Sequence, residues 1–126
     1  MSSLYQAIIL DHAKNPRNCG HLEHANCHGD AKNPTCGDSL SMDILTENGL
    51  ISDIRFQGQG CAISQATASL LTETVKGKAI EEALALGRDD ILALLGVTLT
   101  PNRLKCALLP LETLQKTLLD GDSEIA

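Results

Sequence analysis

The stretch that most constrains the fold is Asn33-Pro34-Thr35-Cys36-Gly37-Asp38. It sets a thiol and a carboxylate on either side of a glycine. Pro34 fixes its own φ and biases Asn33 away from the helical region. Gly37 permits a backbone turn that a side chain would hinder, so Cys36 and Asp38 can point at one centre. Two more cysteines stand far along the chain in distinctive surroundings, Gly58-Gln59-Gly60-Cys61 and Arg103-Leu104-Lys105-Cys106. The pattern reads as a three-cysteine, one-aspartate site for a soft metal or a metal–sulfur cluster, because thiolates are soft ligands suited to zinc, copper(I) and iron–sulfur clusters. Such a site requires a fold that brings three separated segments to one place.

Periodicity supplies the elements. Residues 4–13 carry Leu4, Ile8 and Ile9 with Tyr5 and Leu10 alongside, which predicts an amphipathic helix capped by Ser2 or Ser3 and stopped near Asn15-Pro16. Residues 15–34, with their Pro, Gly, Asn and three His, read as a long irregular segment of the kind that is functional or mobile. Strand alternation begins after Gly37, where Leu40, Met42 and Ile44 alternate with Ser41 and Asp43. Glu47-Asn48-Gly49 predicts a hairpin turn, and the next strand covers 51–57, with Ile54 and Phe56 on one face and Asp53 and Arg55 on the other. A short third strand is expected between Gly58 and Cys61.

Helical patterning starts at Ser64 with Ala66, Leu70, Leu71 and Val75 and stops at Gly77. Two short helices follow over 79–86 and 90–95, closed by Gly87 and Gly96. The last helix has Thr100 as N-cap, Pro101 in its first position and Leu104, Leu108, Leu111 and Leu118 at helical spacing. A kink or break is expected at Pro110, and a frayed polar tail from Asp120. The expected architecture is a single α+β domain over residues 1–126: a small antiparallel three-stranded sheet with helices packed on one face and an N-terminal helix before the sheet.

Composition narrows the function classes. The 126 residues carry a formal net charge of -6 and no basic run, which argues against nucleic acid and anionic membranes as partners. With no Trp, one Tyr and one Phe, the core must be built from Leu, Ile, Ala and Val. The N-terminus shows no pattern of a secretory signal, and no apolar run reaches membrane-spanning length. The expected location is cytoplasmic. Five cysteines in such a chain favour thiols used as ligands or nucleophiles over a disulfide framework.

Residue by residue, other roles remain open. Cys106, between Leu104 and Leu108, fits a small buried hydrophobe equally well. Asp38 also fits an aspartate that bonds its own turn. As a ligand, however, a hard carboxylate on a soft centre is exchangeable, and a site meant to release its cargo gains from one. Cys19 and Cys27 read as incidental loop thiols. His12, His21, His24 and His28 read as solvated or helix-end residues. Lys105 is a surface lysine by default, and functionally its ammonium would favour the Cys106 thiolate. Arg103 would do the same or pair with Asp38.

Six motifs in order resemble the IscU/SufU/NifU N-terminal family of iron–sulfur cluster assembly scaffolds. They are Leu4-Tyr5 through Asp11-His12, Lys14-Asn15-Pro16-Arg17-Asn18, Asn33 to Asp38, Phe56-Gln57-Gly58-Gln59-Gly60-Cys61-Ala62-Ile63-Ser64, Val75-Lys76-Gly77-Lys78 and Arg103-Leu104-Lys105-Cys106-Ala107. The resemblance implies that Cys36, Cys61 and Cys106 ligate a [2Fe-2S] cluster or iron, with Asp38 as the labile auxiliary ligand. Zinc is the alternative occupant of the same four residues. It further implies Cys106 and Cys36 as sulfur acceptors assisted by Lys105, a cysteine desulfurase as sulfur donor, an iron donor, and apo iron–sulfur proteins as acceptors. The activity implied is that of a scaffold; the alternative is a zinc-bound sulfurtransferase. Lys105 before the third cysteine is similar to SufU-type members, while the short 75–103 stretch lacks their insertion. Leu99-Thr100-Pro101-Asn102-Arg103 stands where IscU-type members carry a chaperone-recognition motif. The chain thus resembles a compact SufU-like member.

Overall fold

The computed structural model describes residues 3–33 and 37–125, with side chains from 6 to 119 in that range. The expected N-cap Ser2 and the thiol of Cys36 lie outside the described residues. The order is α1 (Ser3–Lys14), β1 (Cys27–Asn33), β2 (Asp38–Glu47), β3 (Leu50–Gln59), α2 (Ala62–Val75), α3 (Ile80–Leu84), α4 (Arg88–Leu95) and α5 (Pro101–Ile125). The sheet is antiparallel in the order β1-β2-β3. This is the α+β class expected, with the N-terminal helix before the sheet.

The third strand is not where periodicity put it. No separate strand forms between Gly58 and Cys61; β3 simply continues to Gln59. The third strand is β1, inside the segment read as irregular. Its residues alternate all the same, with Cys27, Gly29, Ala31 and Asn33 inward and His28, Asp30 and Lys32 outward. The inward residues are small because α5 lies close: a Cβ built on Gly29 would run into the Thr117 hydroxyl. Close helix–strand approach thus replaces the branched apolar residues by which strands are usually recognised. Cys27, 2 % exposed, is therefore a core residue and not a loop thiol.

The β2–β3 hairpin closes as expected, with Asn48 at φ 55° and Gly49 at φ 78°, the left-handed pair of a type I′ turn. Leu40, Met42 and Ile44 on β2 and Ile54 and Phe56 on β3 point inward and are buried. Against them α2 contributes Ala66, Leu71 and Val75, and α5 contributes Ala107, Leu111, Leu114 and Leu118. Leu104 and Leu108, expected on that stripe, are only half-buried at its border. α5 is continuous through Pro110, so of the kink or break expected there the break does not occur. A mid-helix proline costs about 3 kcal/mol, and here Leu109, Pro110 and Leu111 are all buried, so tertiary packing offsets the lost rung. The helix also runs to Ile125, past the point at which fraying was expected.

The connection between α1 and β1 is a strap across the sheet's outer face. Its residue Asn18 accepts from the Phe56 amide at 2.9 Å and Gly20 donates to the Phe56 carbonyl at 2.8 Å, pairing with the free edge of β3. It then crosses β2 and reaches β1's side, where the Asn26 amide donates to the Ile44 carbonyl at 3.1 Å. No helix among the described residues is long and apolar enough to cross a membrane.

Candidate metal centre

Strand register brings the chemistry together at one end of the sheet. Asn33 pairs with Asp38, so residues 34–37 form the β1–β2 connection, closed by the Gly37 amide donating to the Asn33 carbonyl at 2.9 Å. Gly37 sits at φ 73°, a conformation that costs a residue with a Cβ far more. Ser39 pairs with Gln59, which puts the end of β3 beside the start of β2. Cys61 follows as the N-cap of α2, in extended conformation. Cys106 arrives on the first turns of α5.

Among the described residues, one ligand-type atom each from Asp38, Cys61 and Cys106 lies within 4.8 Å of the others. Ligands of tetrahedral zinc, at about 2.0–2.3 Å from the ion, are themselves roughly 3.3–3.8 Å apart. The donor set is therefore close to the spacing a metal needs. Asp38 is 3 % exposed and Cys106 5 %, whereas Cys61 is exposed, so the pocket opens on the Cys61 side. Among the described residues, the Asp38 carboxylate is thinly held. Its Oδ1 accepts the Cys61 amide at 3.2 Å and its Oδ2 lies 3.8 Å from the Cys61 thiol. A buried carboxylate with so few donors keeps lone pairs available for a cation. Two thiols and an oxygen suit zinc or iron better than a hard cation such as magnesium.

Arg103 does not pair with Asp38. It is exposed and lines a groove of about 600 Å³ between α1 and the segment before α5, which reaches Ala62 next to Cys61. Lys105 is exposed too, and lines a shallow pocket with Lys32, Asn33 and Glu112 on the other side of α5's first turns. Thr100 caps α5 as expected, its hydroxyl accepting the Arg103 amide at 3.4 Å.

The histidines divide. His12 is a helix-end residue, one of the two roles expected, but is buried rather than solvated, with Nδ1 2.7 Å from the Ser69 hydroxyl. Burial, reinforced by the Arg17 cation, holds its imidazole below the ordinary value, although Glu73 lies 3.6 Å away. His21 and His28 both bind Asp43 on the outer face, at 2.6 and 2.9 Å. The Leu22 amide adds a third donor to the same carboxylate at 3.1 Å. Burial pushes Asp43 up, but these hydrogen bonds and the imidazole charges more than offset it and leave the carboxyl below its ordinary value. Asp43 is thus the clamp of the strap. Sequence reasoning saw it only as the polar half of a strand; the signal was three His residues near a strand carrying an outward carboxylate.

The profile of the NifU-like N terminal domain matches residues 4–123. The zinc-dependent sulfurtransferase SufU of Bacillus subtilis is 38% identical over 133 aligned residues, covering 92% of this chain and 90% of the relative. The iron–sulfur cluster assembly scaffold protein IscU of Aquifex aeolicus is 45% identical over 122 residues, covering 95% of this chain and 77% of the relative. Among solved structures, a candidate iron–sulfur cluster assembly scaffold protein for the SUF system from Fervidobacterium islandicum superposes with a TM-score of 0.79 at 29% identity, covering 94% of this chain and 96% of that one.

Proposed function

The chain belongs to the family of NifU-like N-terminal domains, and on that premise we propose that it is a single-domain scaffold on which iron–sulfur clusters are assembled and from which they are passed on. The observation that carries this reading is the convergence of Asp38, Cys61 and Cys106 at one buried, one-sided pocket. Cys36, two residues before Asp38, supplies the third thiolate. The cargo is a [2Fe-2S] cluster, and its holders are Cys36, Asp38, Cys61 and Cys106.

Sulfur arrives from a cysteine desulfurase as a persulfide. A thiolate of Cys36 or Cys106 attacks the terminal sulfur of that persulfide. The new S–S bond forms on the scaffold as the old one breaks, and the desulfurase cysteine leaves as its thiolate, so no net oxidation occurs. The Lys105 ammonium, one residue from Cys106, favours the thiolate form. Iron from a donor enters the same pocket, an external electron donor reduces each transferred sulfur by two electrons to sulfide and frees the scaffold thiolate, and Asp38 serves as the weak ligand whose departure lets an apo-protein thiol take over. The compartment proposed is the cytoplasm.

The name of the Bacillus subtilis relative favours one second reading, a zinc-bound sulfur acceptor that activates a desulfurase. The same four residues would hold the zinc, and one cysteine would leave it to take sulfur. The metal and sulfide content of protein isolated without air separates the two: iron with acid-labile sulfide for the scaffold, stoichiometric zinc with desulfurase stimulation for the sulfurtransferase. The direct test of the scaffold is anaerobic reconstitution with iron, cysteine and a desulfurase, followed by visible absorption. Cys36→Ser, Cys61→Ser and Cys106→Ser should each abolish stable cluster. Asp38→Ala should retain cluster but slow its transfer to an apo-ferredoxin. Three serine variants with wild-type cluster yield would overturn the assignment.

A further inference from the structure

Four buried hydroxyls lie along α2, and three of them are bonded. Thr67 donates to the Ile63 carbonyl at 2.7 Å and Thr72 to the Ser69 carbonyl at 2.9 Å, while Ser69 accepts the Arg17 amide at 2.8 Å and meets His12. Ser64 is different. It has no solvent exposure, and its Oγ has no hydrogen-bond partner among the described residues. A buried, unsatisfied hydroxyl costs about 1–3 kcal/mol, and a fold that keeps one needs a reason.

Gly60 shows what faces it. A Cβ built on Gly60 would lie 2.8 Å from Asp38 Cγ, 2.8 Å from Asp38 Oδ1 and 2.8 Å from Ser64 Oγ. The carboxylate and the hydroxyl therefore border the same small space, which exists because residue 60 has no side chain. The Cys61 amide already donates to Asp38 Oδ1 from the same side.

We infer that Gly60, the Cys61 amide and the Ser64 hydroxyl form a cradle for the detached Asp38 carboxylate. Resting on the proposed metal or cluster site, the inference concerns how its weak ligand lets go. In the geometry seen here, with an Asp38 oxygen within 4.8 Å of the Cys61 and Cys106 thiols, Ser64 has no acceptor among the described residues. When Asp38 swings off, its oxygen gains the Ser64 O–H in addition to the Cys61 N–H. The cost of leaving a buried metal for a dry pocket is thereby offset, and exchange of the aspartate for an incoming thiol becomes easier. Ser64 is a positioning residue, acting only through Asp38.

Cobalt(II) loaded into the full chain tests this without reference to activity. Displacement of Asp38 by 2-mercaptoethanol adds one cobalt–sulfur bond and increases the thiolate-to-cobalt charge-transfer absorption. Ser64→Ala should raise the thiol concentration for half-displacement by about tenfold, the worth of one hydrogen bond to a charged acceptor. Ser64→Thr, which keeps the hydroxyl, should return it towards wild type. In an Asp38→Ala background Ser64→Ala should change nothing. Because the wild-type hydroxyl makes no bond at rest, the thermal midpoint of the Ser64→Ala apo-protein should equal or exceed that of wild type. A half-displacement within twofold of wild type, or the same tenfold effect without Asp38, would overturn the cradle. Absence of any charge-transfer band in the wild type would instead overturn the metal-site reading on which it rests.

Discussion

Two aspartates on one strand, Asp38 and Asp43, show how the same side chain is put to opposite uses. Asp43 faces outward and takes three donors, from His21, His28 and the Leu22 amide, at 2.6 to 3.1 Å. Asp38 faces the pocket, is more deeply buried, and among the described residues takes a single backbone donor at 3.2 Å beside a thiol. A carboxylate held by three donors is a fastener, since most of its lone pairs are committed. A buried carboxylate left under-bonded is unstable where it sits and ready for a cation. The difference lies in the donors that the surrounding chain supplies, so the fastening at Asp43 and the lability proposed for Asp38 both trace to the neighbourhood.

Breaking each in turn should give opposite phenotypes. The largest effect belongs to the pocket: Cys61→Ser or Cys106→Ser should weaken zinc binding by more than about 100-fold, beyond the usual cost of losing a residue that only supports a ligand. Asp43→Asn should leave zinc affinity within about twofold, as read by competition with a chromogenic chelator. Equal losses in both would erase the distinction. Next in size is stability. Asp43→Ala removes the acceptor shared by the part-buried Leu22 amide and two exposed imidazoles and should cost about 1 kcal/mol, a fall of roughly 3–5 °C in the apo-protein's thermal midpoint. Asp38→Ala in the metal-free protein should leave that midpoint unchanged or raise it, because the side chain removed was poorly bonded. A large drop for Asp38→Ala would mark it as structural.

The smallest effect is on pH dependence. Because the Asp43 carboxyl lies below its ordinary value of 3.8 in the folded chain, its stabilising contribution is complete well above that value. It is lost as pH falls through 3.8 towards the folded value, where the unfolded chain has already bound its proton. Chemical denaturation at pH 6 and at pH 3.5 should therefore show a smaller acid-induced loss in Asp43→Asn than in wild type. An identical loss would remove Asp43 from the list of acid-sensitive fasteners.

The same comparison explains what could be read from the sequence. The grouping of Asp38 with Cys61 and Cys106 was legible because soft-ligand chemistry leaves its mark locally, as thiols in distinctive motifs shared with a family. The β2–β3 hairpin was legible because Asn48-Gly49 and the alternation of Leu40, Met42 and Ile44 are local too. β1 was not, because its inward residues Cys27, Gly29 and Ala31 are small to admit α5, a demand set by Thr117 far down the chain. The continuity of α5 through Pro110 was hidden for the same reason: packing on both sides of the proline overrides a local helix breaker. The strap was invisible because Asp43 and its two histidines meet only after the sheet has formed. Ser64 looked like any small residue on a helix until its lack of a partner and the space beside Gly60 became visible.

The central claim is that one oxygen and three sulfurs share a single exchangeable centre. X-ray absorption at the zinc edge of the metal-loaded chain measures that shell directly. The account predicts three sulfur scatterers and one oxygen in the wild type, becoming four sulfurs in Asp38→Cys. A shell with fewer than three sulfurs, or one that is unaltered by Asp38→Cys, would contradict it.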